Sequence, residues 1–98
     1  MSVLRFEWDV RKNVRNMHKH GVSFEEAQTV FLDEQALLIT DPDHSEQEER
    51  FILLGLSSAL QTLVVCHCYC RGGGVIRLIS ARCADRQERM VYENRWTR

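Results

Sequence analysis

Five arginines, Arg71, Arg77, Arg82, Arg86 and Arg89, fall within nineteen residues, and no lysine stands among them. A guanidinium stays charged at any working pH and offers a planar fork to a phosphate. Placed around a scissile phosphate, such groups stabilise the negative charge that grows in the transition state. Arg77 and Arg82 have opposite strand parity, so both face one site only if the strand ends between them, near Ala81 or Arg82. A second cluster is Cys66-His67-Cys68-Tyr69-Cys70, in which a strand turns the cysteines to one face and His67 and Tyr69 to the other. Zinc is usually held from turns spaced C-x2-C, and same-face neighbours on a strand stand too far apart for a disulfide. The cysteines therefore read as small buried strand residues, with a zinc site as the lesser alternative. His67 is expected on a face that opens to solvent beside the arginines of the next strand, where it could move protons near neutral pH. A packed or interfacial histidine is the other reading of that residue. His18 and His20, two apart on a helix, lie on different faces, and His44 follows a turn in an acidic stretch and is expected to be exposed. No nucleotide loop, Ser-His-Asp arrangement or dinucleotide fingerprint is present.

The elements that must position these residues follow from local pattern. Val3 to Trp8 alternates as a short strand with Leu4, Phe6 and Trp8 on one face. Asp9 caps a helix through about His20, and Gly21 stops it by entering the left-handed region. Ser23-Phe24-Glu25-Glu26 is a capping box that opens a second helix to about Leu32, with Phe24, Ala27, Val30 and Phe31 at helical spacing. Ala36 to Thr40 is a strand ending at the turn Asp41-Pro42-Asp43. Arg50 to Leu56 is apolar on both faces and suits a central strand. Leu63 to Cys70 and Val75 to Ser80 are strands joined by Arg71-Gly72-Gly73-Gly74, and the tail from Ala84 to Trp96 is helical, with Met90 and Tyr92 as its apolar contacts. The order predicts a small α+β domain over residues 1–98: a strand, two helices, three or four mainly antiparallel strands and a C-terminal helix.

Composition narrows the class. The chain has 98 residues, 44% hydrophobic and 28% charged, with one proline and five glycines, so disorder, collagen and coiled coil are excluded. Purely apolar runs reach only four residues, as at Leu63 to Cys66, too short to span a bilayer. The start of the chain turns polar before a secretory stretch could form, so the expected compartment is the cytoplasm and the four cysteines are expected to be reduced. The net charge of -1 conceals segregation: +3 over residues 1–20, -8 over residues 21–50 and +4 over residues 51–98. Folding can bring the two basic ends to one face, leaving the acidic middle to meet a basic partner.

Several motifs together resemble the BrnT toxins. They are Phe6-Glu7-Trp8-Asp9, Asn16, and Lys19-His20-Gly21-Val22-Ser23-Phe24-Glu25-Glu26-Ala27, followed by Asp41-Pro42-Asp43-His44-Ser45, Glu49-Arg50-Phe51 and Gly55. Val75-Ile76-Arg77-Leu78-Ile79-Ser80-Ala81-Arg82, with Glu88 and Tyr92, completes the pattern. The resemblance covers nearly the whole chain. It implies the toxin half of a bacterial type II toxin–antitoxin pair: a RelE-like, metal-independent endoribonuclease with no cofactor. It also implies neutralisation by a BrnA-type antitoxin, whose ribbon-helix-helix domain binds DNA; the toxin then meets DNA only through that partner, and no membrane. His67, Arg77, Arg82, Glu88 and Tyr92 match family positions of polar character. By their chemistry, Arg77 and Arg82 would hold phosphate, His67 or Glu88 would act as base, and Tyr92 would contact a base or phosphate. Arg71, Arg86, Arg89, Lys12 and Lys19 would contact RNA along its backbone. Two positions depart from the pattern: Cys70, where relatives often carry arginine, and Cys83, where they usually carry lysine or arginine. A weakly active or inactive toxin that serves as an antitoxin-binding, operon-regulating module is the alternative these cysteines raise.

Overall fold

The computed structural model describes residues 4–41 and 49–95. The chain runs β1 (Phe6–Glu7), α1 (Val10–His20), α2 (Phe24–Ala27) tightening into a 3-10 turn over Gln28–Leu32, then β2 (Leu37–Thr40) and β3 (Phe51–Leu56). It continues through β4 (Thr62–Cys70), a 3-10 turn over Arg71–Gly73, β5 (Val75–Cys83) and α3 (Arg86–Asn94). This is the α+β order the sequence predicts, with four strands after the first two helices. Strands β2 to β5 form an antiparallel meander and β1 adds in parallel to β5, giving the order β1-β5-β4-β3-β2.

Strand alternation sorts the apolar residues into two cores. Leu53, Leu63, Val65, Ile76, Leu78 and Ala81 face α2 and its extension, where Phe24, Ala27 and Val30 are buried. Leu54 and Val64 face the other way and meet Ala84 and Tyr92 at α3. Gly55 sits where the 3-10 turn crosses β3. A Cβ there would lie 2.8 Å from both Ala36 Cβ and Val30 Cγ1, so only glycine allows the crossing.

The caps differ in one respect from expectation. Asp9 accepts from Arg11 N and Lys12 N, and Gly21 closes α1 at φ 71°. Ser23 Oγ accepts from Glu26 N, but the Glu26 carboxylate turns to Ser57 Oγ at 2.6 Å and Gln61 Nε2 at 3.0 Å. A reciprocal capping box forms instead at α3, between Asp85 and Glu88. Helix α1 buries amides rather than alkyl groups, Asn13 and Asn16, while Val10, Val14 and Met17 are exposed. Asn13 accepts from Phe24 N and donates to Glu25.

Asn16 closes a sheet edge. Strand β1 pairs only with Ile76 and Arg77, so β5 beyond them would present bare backbone. There Asn16 Nδ2 donates to Ala81 O and Val22 O, each at 2.8 Å, and its Oδ1 accepts from Ala81 N at 3.0 Å. Of the expected elements, Val3, Pro42 to His44 and Trp96 lie outside the described residues. Among the described residues, no helix is long and apolar enough to cross a membrane.

Candidate functional site

Strand β5 does not end between Arg77 and Arg82, as their opposite parity requires; it runs unbroken to Cys83. A register shift reconciles them. Cys66 pairs with Ser80 and His67 with Leu78, so Ile79 has no counterpart on β4 and alternation resets across it. Arg77 therefore pairs with Cys68 and Arg82 with Val64, two β4 residues of equal parity on the α3 face. Their four-residue separation sets the two arginines about 13 Å apart along the strand.

Each of these arginines holds a carboxylate. Arg77 donates to Glu7 Oε2 from Nε at 2.8 Å and from Nη2 at 2.7 Å. Arg71 lies at the edge of the same group, 3.9 Å from Glu7 Oε1. Arg82 grips Glu88 in a two-point fork, 2.8 Å to each oxygen, while Glu88 Oε1 also accepts from Asp85 N at 2.9 Å. The Arg82 fork holds the Glu88 carboxyl below its usual range, against the opposing pull of burial. Arg77 does the same to Glu7. Both pairs are part exposed, at 50% and 31% for Arg77 and Glu7 and 43% and 30% for Arg82 and Glu88. Pairs so wetted exchange partners at little cost, and a phosphate can compete for either guanidinium.

The structure separates two other expected site residues from this face. His67 is fully buried, with 0% exposure, on the opposite side of the sheet, caged by Phe31, Phe51 and Tyr69. Its Nδ1 donates to Val65 O at 3.2 Å, which leaves Nε2 to accept from the Tyr69 hydroxyl at 3.3 Å. Burial depresses its pKa and favours the neutral ring. The expected opening beside the arginines is closed because Phe31, from the 3-10 turn, covers that face. Tyr92 is on α3, four residues after Glu88, but its hydroxyl donates to Asp33 Oδ2 at 2.5 Å and its ring lies under the Arg95 guanidinium. Burial and Asp33 together raise its pKa, so the phenol stays protonated. Met90, expected to pack with it, is 49% exposed.

The remaining candidates fall into two places. Arg86 and Arg89 project from α3 into solvent. Lys12 and Lys19 line a groove between α1 and β5, at the other edge of the arginine face. The three strand cysteines share one face as expected, and all four cysteines are free thiols. Cys66, 3.6 Å from Asp41 Oδ2, is pushed up to about 11 by burial and by that carboxylate, so it stays a thiol. Cys70 Sγ contacts Glu7 at 3.8 Å, and Cys83 Sγ donates to Gln61 Oε1 at 3.3 Å. Two cations escape the sequence reading: Arg15, which lines the groove between Lys12 and Lys19, and Arg50, whose charge reaches Cys66 on the arginine face. The signal for Arg50 is the parity of β3, since Ile52 pairs with Cys66 and Arg50 shares its side; for Arg15 it is the i, i+3, i+7 spacing with Lys12 and Lys19.

Residues 8–88 match the family model described as the ribonuclease toxin BrnT of type II toxin–antitoxin systems. Among solved structures, the chain resembles the Brucella abortus ribonuclease toxin BrnT at 22% sequence identity, with a TM-score of 0.64 over 86% of this chain and 100% of that one. No curated protein matches significantly.

Proposed function

The chain belongs to the BrnT family of ribonuclease toxins from type II toxin–antitoxin systems, and from that premise we propose that it cleaves RNA on the face carrying Arg77, Arg82 and Glu88. The observation that carries the proposal is the reset at Ile79, which brings Arg77 and Arg82 to one side with Glu88 forked on Arg82. An incoming phosphate takes the Arg82 fork. That exchange frees the Glu88 carboxylate from the partner that depresses its pKa, and so raises its basicity where the proton must go. Glu88 then accepts the 2′-hydroxyl proton as that oxygen attacks the neighbouring phosphorus. The P–O bond to the 5′-oxygen breaks as that oxygen takes a proton from water, leaving a 2′,3′-cyclic phosphate and a 5′-hydroxyl end, and Glu88 returns its proton to solvent. Arg82 stabilises the added charge on the phosphoryl oxygens, and Arg77 holds a second phosphate along the strand. Tyr92, bound to Asp33, positions α3 and with it Glu88. His67 supports β4 from the opposite side.

No step in this scheme uses a metal ion. The partner that would silence the site is a BrnA-type ribbon-helix-helix antitoxin, through which alone the protein meets operator DNA, and the scene is the cytoplasm. Inducible expression, with and without the adjacent gene, followed by mapping of RNA ends is the test. Growth arrest with cyclic-phosphate ends that persist in EDTA, lost in a folded Arg82→Ala variant, supports the proposal; undiminished cleavage by that variant overturns it.

A second reading draws on the same ion pairs. With Arg77 and Arg82 both neutralised and thiols at positions 70 and 83, the chain would bind its antitoxin and regulate the operon with little cleavage. A harmless wild-type protein that becomes toxic as Cys70→Arg with Cys83→Lys favours this reading.

A further inference from the structure

Two adjoining cavities share the side chain of Lys12. One, of about 410 Å³, is lined by Glu7, Trp8, Asp9, Lys12, Arg77 and Leu78. The next, of about 250 Å³, runs on past Lys12, Arg15, Lys19 and His20 of α1 over a floor that includes Ile79 and Ser80. Lys12, Arg15 and Lys19 stand at i, i+3 and i+7, so they form one row about 10 Å long on the helix. The row flanks the buried side of α1, where Asn16 clamps it to β5. Among the described residues, no acidic group pairs with any of these three side chains. The acids of the groove, Glu7 and Asp9, sit at its other end, where Arg77 occupies the first and the start of α1 the second.

We propose that this groove is a binding track for single-stranded RNA, continuing the strand that crosses Arg77 along α1 to Lys19; the assignment rests on the ribonuclease reading and adds the route of the substrate. Unpaired cations in a row release counterions on meeting a phosphate chain, and an aromatic residue beside them offers a base a stacking surface. Trp8, half-buried at the head of the groove, supplies that surface. Single strand is favoured over duplex because only an unpaired base can lay its face on Trp8.

The test measures binding apart from cleavage. A labelled 2′-O-methyl oligoribonucleotide cannot be cut by 2′-hydroxyl attack, and its affinity for the full chain is followed against salt. Lys12→Gln, Arg15→Gln and Lys19→Gln combined remove the three charges while keeping polar side chains and comparable helix propensity. Loss of three contacts at a slope of 0.7 each predicts a log–log salt slope shallower by about 2 and binding about 100-fold weaker at 100 mM salt. Each single variant shifts the slope by about 0.7, whereas Arg11→Gln, one residue outside the row, leaves it unchanged. With Trp96→Phe in the background, RNA should also alter Trp8 fluorescence. A triple variant that keeps the wild-type slope while RNA is still cut overturns the track and leaves the ribonuclease reading standing. Equal losses in Arg11→Gln overturn it too, since net charge alone would then explain the binding. Binding that needs the row, in a protein that cuts nothing, upholds the track and removes the enzyme.

Discussion

Arg77 and Arg82 each face a carboxylate at 2.7 to 2.8 Å, whereas Lys12, Arg15 and Lys19 extend from α1 with no acidic partner among the described residues. Both regions are cationic and they flank the same strand, yet they are suited to different work. A paired guanidinium is held in a fixed orientation and is available only to a ligand that displaces its partner, which favours selectivity and timing. An unpaired ammonium on a flexible stem carries little orientation but contributes attraction at once. The contrast suggests a division in which the helix draws RNA in and the sheet face handles the phosphate.

The strongest way to break this division is Arg82→Ala. If Arg82 stabilises the transition state, cleavage falls about 100- to 1000-fold while RNA affinity changes far less; equal losses in both would merge the two regions into one. Asn16→Ala tests the division by detaching the row without touching a charge. It leaves Ala81 N–H and two carbonyls unsatisfied in a buried setting, for a loss of about 2–3 kcal/mol, read as a fall in Tm of about 10–20 °C. A Tm within a few degrees of wild type would show that α1 is held some other way.

A smaller effect separates both regions from the far side of the sheet. His67 has a pKa depressed below the ordinary 6.5, so the unfolded chain binds more protons and stability falls as pH drops through 6.5 toward the folded value. Glu7 and Glu88 have depressed pKa values, so their contribution is complete above the ordinary 4.5 and is lost only as pH falls below it. Between pH 6.5 and 4.5 thermal unfolding should therefore show a decline in stability carried by His67, and that decline is absent in His67→Leu. A matching decline in that variant would point to another group. The smallest effect is that of Glu7→Gln, which turns Arg77 from a paired into an unpaired cation. RNA binding should tighten a few-fold at low salt and its salt slope steepen by about 0.7, and an unchanged slope would take Arg77 off the path of the RNA.

Much of the frame was legible from local chemistry. Asp9, Gly21 and Ser23 are read correctly as helix boundaries because each acts on its own neighbours. Alternation correctly divides Cys66 and Cys68 from His67. What alternation cannot supply is whether a face is covered, because Phe31 and Phe51 reach His67 from distant parts of the chain. Nor can it show an extra residue in one strand: Arg77 and Arg82 look incompatible until pairing with β4 reveals the unmatched Ile79. Glu26 illustrates the same limit. Its spacing from Ser23 predicts a local bond, and Ser57 and Gln61 claim its carboxylate. The box at Asp85 and Glu88 has the same spacing but does not stand out in the sequence, because the charged tail offers no apolar run behind it.

The unmatched Ile79 also makes the chemistry of this chain tolerant of the loss of one codon. Were it deleted, β5 and β4 would match rung for rung, with Leu78 still opposite His67 and Ser80 still opposite Cys66. Ala81 would keep its place under the helices opposite Val65, and Arg82 its side of the sheet opposite Val64, facing Glu88. A single in-frame deletion there would thus straighten the strand while sparing both the arginine face and the architecture that a partner would recognise.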